Sequence, residues 1–218
     1  GLRAIQLRED DELIRVVVTS GNDGIILGTY HGNAVSFHED KVRAMGRTAS
    51  GVRGVSLREG DYVIGMDILT PDREVLVVSE KGYGKRTAAS EYALKGRGVK
   101  GVRTLRITEK NGPLVCLRTV TGDEDLLIMT NKGVIIRFHA EDVSQTGRGA
   151  LGVRMMRLDQ DAIVSSLAIV DREEETEEAS EATAETAATE TPTASLSEDQ
   201  IKGNMKDFAQ QLVDEENE

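Results

Sequence analysis

The chain has 218 residues, 30% of them charged, a formal net charge of -11 and a single cysteine, Cys116. One cysteine excludes an intrachain disulfide and a cysteine-based zinc site, and no apolar run reaches the ~18 residues needed to span a bilayer. Aromatic residues make up 3% and Trp is absent, which argues against a single-strand binder that stacks bases on aromatic platforms.

Residues 1–170 hold 24 Lys+Arg and 22 Asp+Glu, a net of +2, whereas residues 171–218 hold 3 and 16, a net of -13. A near-neutral body therefore carries an acidic tail, and overall acidity does not exclude nucleic acid as a partner of the body. The chain opens on Gly1 with no charged-then-apolar leader, so it is expected to be processed or part of something longer.

In chain order, residues 1–10 read as the end of a preceding blade, with its last strand over 1–7. A first unit opens near Asp11 with an apolar run at 13–18, a turn at 20–24 and a second run at 25–27. A Gly turn, a short third run, a loop and a fourth run at 52–57 complete it. The second unit opens near Asp61 with runs at 62–68, 75–78 and 102–107. The third opens near Pro113 with runs at 114–120, 126–129 and 134–138. A closing run at 163–169 ends the body, so residues 11–170 make three blades plus a closing strand. β-Branched runs bounded by Gly, Asn, Asp and Pro are strand grammar. Residues 171–196, rich in Glu, Ala and Thr, are expected to be disordered. Residues 197–218 carry Ile201, Met205, Phe208 and Leu212 on one helical face behind a Ser197/Gln200 capping box, which predicts a short helix.

Three markers keep one beat. Gly1-Leu2-Arg3 recurs as Gly51-Val52-Arg53, Gly101-Val102-Arg103 and Gly152-Val153-Arg154. Gly32 recurs as Gly82 and Gly133, and Gly46-Arg47 as Gly96-Arg97 and Gly147-Arg148. Four short strands in about fifty residues make a propeller-type blade, which buries its faces by radial packing. The last strand of each unit is expected to exchange with a neighbour. Propellers have about four to eight blades, so upstream blades are expected to be missing here.

Several motifs fail on context. Gly96 to Gly101 and Gly147 to Gly152 spell G-x-G-x-x-G, but a dinucleotide site needs a helix after it and a β-like run follows each copy. Gly84-Lys85-Arg86 lacks the first glycine and the hydroxyl of a phosphate loop. His31, His38 and His139 lie in different units or positions and predict no shared metal site. Cys116 sits in an apolar run and reads as a buried, inert thiol. No catalytic constellation emerges.

What recurs is cationic. The first unit offers Lys41, Arg43, Arg47 and Arg53. The second offers Lys85, Arg86, Lys95, Arg97, Lys100 and Arg103, and the third Lys132, Arg137, Arg148 and Arg154. Glycines let a backbone approach phosphate while arginine forks and lysines neutralise it. One such set per blade suits a bent duplex held without base reading. Neighbouring Glu39, Asp40, Glu91, Glu141 and Asp142 leave room for the alternative that these cations are structural.

The stretches Arg43-Ala44-Met45-Gly46-Arg47, Gly51-Val52-Arg53-Gly54-Val55, Gly82-Tyr83-Gly84-Lys85-Arg86-Thr87 with Glu91-Tyr92, Thr108-Glu109-Lys110-Asn111-Gly112 and Asn131-Lys132-Gly133 resemble the carboxy-terminal domain of DNA gyrase A, a type IIA DNA topoisomerase component. The resemblance runs from Gly1 to about Val170 and includes the acidic tail. It implies an all-β, six-bladed β-pinwheel whose rim wraps duplex DNA. Wrapping presents a positive crossover to an ATP-driven strand-passage core and yields negative supercoils. This chain resembles the last three blades plus part of the one before.

The implied partners are duplex DNA, the gyrase B protein and the remainder of gyrase A in a heterotetramer, in the bacterial cytoplasm at the nucleoid. No cofactor is expected in this chain, since ATP and Mg2+ belong to the holoenzyme through gyrase B. The family's first-blade box, Q-R-R-G-G-x-G, is absent, and the Gly-Arg loops resemble its degenerate later copies. Tyr30, Tyr62, Tyr83 and Tyr92 fall in repeats and are not the family's nucleophile. The acidic tail is expected to compete with DNA for the rim as an internal phosphate mimic. The competing readings are the corresponding domain of topoisomerase IV and a propeller-like protein-interaction scaffold.

Overall fold

Each second and third run is joined by a short turn that local chemistry specifies. Gly32, Gly82 and Gly133 take φ of +78°, +74° and +80°, and their N–H groups donate to Thr29, Ser79 and Thr130 at 2.9, 3.0 and 3.1 Å. A left-handed residue closing an i to i+3 bond is a hairpin turn that glycine adopts at least cost.

The computed structural model describes residues 1–172. The helix expected behind Ser197, and nearly all of the 171–196 stretch, lie outside the described residues. The first hairpin is β1 (Gly24–Thr29) and β2 (Asn33–His38). β3 (Val63–Leu69) precedes the second hairpin, β4 (Glu74–Ser79) and β5 (Tyr83–Ala88), which leads to the two-residue β6 (Val102–Arg103). β7 (Leu114–Val120) precedes the third hairpin, β8 (Glu124–Thr130) and β9 (Ile135–His139). β10 (Val153–Arg154) and β11 (Val164–Asp171) follow.

The sheets do not coincide with the sequence units. Their strand orders are β3-β1-β2-β6, β10-β5-β4-β7 and β11-β8-β9, with every pairing antiparallel. Each hairpin thus takes the first run of the following unit on one edge. In the first two sheets it takes that unit's fourth run on the other. The expected exchange of the last strand occurs for the second and third units, and the first strand exchanges too.

Three strand expectations fail, the first being the opening strand over residues 1–7, which pairs with no sheet among the described residues. The run at 13–18 forms no strand, and Leu13 and Val18 are 57% and 91% exposed. Its counterparts β3 and β7 are strands because each pairs with the hairpin before it. The fourth run at 52–57 likewise forms only a parallel bridge from Val55 to Val99. The other fourth runs shrink to two paired residues each.

The continuous apolar runs of the hairpins follow from burial on both faces. In β4, Val75 and Val77 join one core with Ile26, Leu114 and Leu117, while Leu76 and Val78 join another with Leu126, Ile128 and Val164. The second sheet is therefore packed between its neighbours. Leu117 fits where β1 and β3 present a cross-strand glycine pair, Gly28 and Gly65. An added Cβ would meet Leu117 at 2.8 Å from either glycine. β3 packs beside β7, and β7 beside β11, so the first-run strands line the inner edges. β6 and β10 occupy the opposite, outer edges.

Candidate nucleic-acid interface

The outer edges are built from the Gly-Val-Arg markers. Gly101 and Gly152 take φ of +78° and +80°, and an added Cβ would collide with the Ala34 carbonyl oxygen in one case and with that of Gly84, at 2.6 Å, in the other. Only glycine fits there, and the following Val and Arg then pair with β2 or β5. Arg103 and Arg154 are thereby carried outward on the last strand of their sheets, both exposed.

The sequence-selected cations divide into three groups. Arg43, Arg47, Arg53, Lys95, Lys100, Arg103 and Lys132 are exposed, and none makes a side-chain hydrogen bond or ion pair among the described residues. Lys41, Arg97, Arg137 and Arg154 are exposed but engaged. Lys41 Nζ lies 3.3 Å from Asp40 and Arg137 Nε 2.7 Å from Asp125. Arg97 donates through Nε to the Lys41 carbonyl at 2.8 Å and through Nη1 to that of Arg53 at 3.2 Å. Arg154 donates twice to the Tyr83 hydroxyl, at 3.2 and 2.9 Å.

The third group turns inward. Lys85 is 0% exposed, and its Nζ donates to the carbonyls of Gly147 at 2.5 Å and Arg148 at 2.8 Å. Burial pushes its pKa down to about 8, which the Glu91 carboxylate opposes. Arg86 spans Glu74 at 2.5 Å, the Val143 carbonyl at 2.8 Å and the Glu141 carbonyl at 2.9 Å. Arg148 is half-buried, with its backbone N–H on Glu91 at 3.0 Å and its Nε 3.7 Å from the same carboxylate. Lys85 and Arg86 offer a ligand little, and the reading of them as phosphate contacts gives way to one as internal fasteners. The repeat carries the signal for this: Lys85 stands opposite Val77 as Val35 stands opposite Leu27 and Ile136 opposite Ile128.

The histidines are separated. His38 sits 3.3 Å from Asp40 at the end of β2, and His139 donates from Nδ1 to the Asp125 carboxylate at 2.6 Å in the third sheet. Hydrogen bonds from His139 and Arg137 hold the Asp125 carboxyl below its usual range, against a smaller opposing effect of desolvation. His31 lies 3.9 Å from Asp61. Burial pushes the Cys116 thiol up to about 11, which keeps it protonated. Both G-x-G-x-x-G stretches run into the two-residue strands β6 and β10, with no helix to receive a pyrophosphate.

Sequence reasoning missed Arg106, Lys110 and Arg157, which line concavities beside the outer strands. The available signal was the spacing Gly-Val-Arg-x-x-Arg, present at Gly101 and again at Gly152.

Comparison with known proteins bears on the whole body. A family model described as DNA gyrase C-terminal domain, beta-propeller, matches residues 1–20, 25–70, 73–115 and 124–171. The DNA gyrase A protein of Staphylococcus epidermidis (strain ATCC 12228) is 53% identical over 177 residues, covering 80% of this chain and 20% of that protein. The DNA gyrase A protein of Staphylococcus aureus (strain NCTC 8325) is 50% identical over 210 residues, covering 94% and 24%. The chain therefore spans about a fifth to a quarter of the length of these relatives. A solved DNA gyrase A C-terminal domain superposes with a TM-score of 0.73 at 27% identity, over 78% of this chain and 58% of that one. The C-terminal domain of DNA topoisomerase IV superposes at 0.74 and 26% identity, over 84% and 57%.

Proposed function

This chain belongs to the DNA gyrase C-terminal domain family, and from that premise we propose that its outer edges bind and bend duplex DNA through phosphate contacts. The observation that carries the reading is the set of exposed cations without acidic partners among the described residues: Arg43, Arg47 and Arg53 in the segment between β2 and β3, and Lys95, Lys100 and Arg103 beside the outer edge of the first sheet. Sheets that repeat around a common inner edge present such sets at intervals, and periodic neutralisation of one side of a duplex favours bending toward the protein.

In the parent protein this wrapping supports negative supercoiling by a type II topoisomerase in the bacterial cytoplasm. There the remainder of gyrase A and the gyrase B protein complete a heterotetramer, and ATP and Mg2+ act through gyrase B. We further assign the -13 tail the role of an internal competitor for the same cations.

Duplex affinity of the 218-residue chain across a salt series tests the reading. The expected log–log slope is several units, about 0.9 for each phosphate neutralised. Salt-independent binding, or none, would transfer the lead to a protein-interaction scaffold. Replacing the tail's glutamates with glutamine is expected to tighten binding, and unchanged affinity would remove the competitor role.

A further inference from the structure

Two concavities occupy equivalent places in successive units. One, of about 480 Å³, is lined by His31, Arg103, Leu105, Arg106, Ile107 and Gly149. The other, of about 620 Å³, is lined by Tyr83, Lys110 and the stretch from Gly152 to Arg157. Arg103 and Arg154 are the same repeat position, and so are Arg106 and Arg157. Among the described residues no Asp or Glu lines either concavity. Guanidiniums that line one concavity without a carboxylate beside them raise one another's energy, and a bound anion relieves it.

We propose that these two concavities are the principal phosphodiester sites of the outer edge, each seating a duplex backbone phosphate between the two arginines of Gly-Val-Arg-x-x-Arg. The proposal rests on the duplex-binding reading above and names where that binding concentrates. Arg103, Arg106 and Arg157 make no side-chain hydrogen bond or ion pair among the described residues. Their forks are free for the bidentate contacts that phosphate favours.

In the second concavity the Tyr83 ring aims the cations. Arg154 lies 5.5 Å from its centroid and Lys110 5.6 Å, while the hydroxyl holds Arg154 through Nε and Nη2. That leaves the rest of the Arg154 fork for an anion. By contrast Arg97 and Arg148, in the Gly-Arg loops, spend donors on backbone carbonyls of the preceding unit. The first unit has Ser56 where the others have Arg106 and Arg157, so its fourth run carries one arginine of the pair.

The test uses the full chain and a labelled duplex long enough to cross several units, with affinity measured across a salt series. Arg106→Gln with Arg157→Gln is expected to lower affinity, make the salt slope shallower by about 2 and leave the melting temperature unchanged. Arg43→Gln with Arg47→Gln serves as the matched charge control and is expected to have the smaller effect. If the first pair leaves affinity and slope unchanged while the control pair lowers both, the proposal is overturned and duplex binding stands. If the unaltered chain shows no salt-dependent duplex binding, both fall together.

Discussion

The loops at Gly46-Arg47 and Gly147-Arg148 carry the same marker and meet different surroundings. Arg148 is drawn onto Glu91, and the carbonyls of its loop receive the buried Lys85 ammonium. Arg47 is exposed and makes no side-chain bond among the described residues. A repeated residue therefore does not carry a repeated role. Whether a cation is left free depends on the acceptors that the adjoining unit supplies.

The largest expected contrast lies beneath the loops. Lys85→Met keeps the side-chain length but leaves the Gly147 and Arg148 carbonyls without their donor, an expected loss of about 2–4 kcal/mol in urea unfolding. The counterpart Val35 has no such duty, and Val35→Ala is expected to cost about 1–3 kcal/mol through lost burial alone. Lys85 also has a pH signature. The unfolded lysine keeps its proton to about 10.5 and the folded one loses it near 8. Between those values unfolding takes up a proton, so the Lys85 contribution to stability rises with pH. Comparing the unaltered chain with Lys85→Met from pH 8 upward isolates that rise, and parallel profiles would contradict it.

Next come the marker glycines. Gly152→Ala places a Cβ against the Gly84 carbonyl at positive φ, and a loss of about 2–4 kcal/mol is expected. Gly51→Ala has φ +82° but nothing nearer than the Ile5 Cδ1 atom at 3.9 Å, and about 1 kcal/mol is expected. Equal losses would mean that backbone conformation alone sets the marker. The smallest contrast concerns the arginines themselves. Arg148→Ala is expected to cost about 1 kcal/mol of stability, and Arg47→Ala under about 0.5. The order reverses in duplex binding, where Arg47→Ala is expected to make the salt slope shallower and Arg148→Ala to change it less.

Much of the fold is legible locally. The hairpins read from their apolar runs and from Gly32, Gly82 and Gly133, because a turn and its flanking strands interact over a few residues. The membership of the sheets is not legible in this way. Residues 13–18 and 114–120 share one grammar, yet only the latter form a strand, because an edge strand needs a hairpin to accept it. The candidate interface divides similarly. The recurrence of cations was visible, and the alignment of Lys85 with Val35 and Ile136 could have withdrawn it from the set. The two-fold fastening of Arg97 to carbonyls 44 and 56 residues away could not be read.

By itself the sequence determined the period, the all-β character, the placing of cations beside glycine markers and the separation of body from acidic tail. Each of these follows from composition or from interactions within one turn. Tertiary structure alone decided that a unit hands both its first and last runs to the preceding hairpin, and which cations stay in water. Those outcomes rest on pairing and burial between residues distant in the chain, where a backbone carbonyl or a carboxylate from another unit settles whether an arginine or lysine is bound or free.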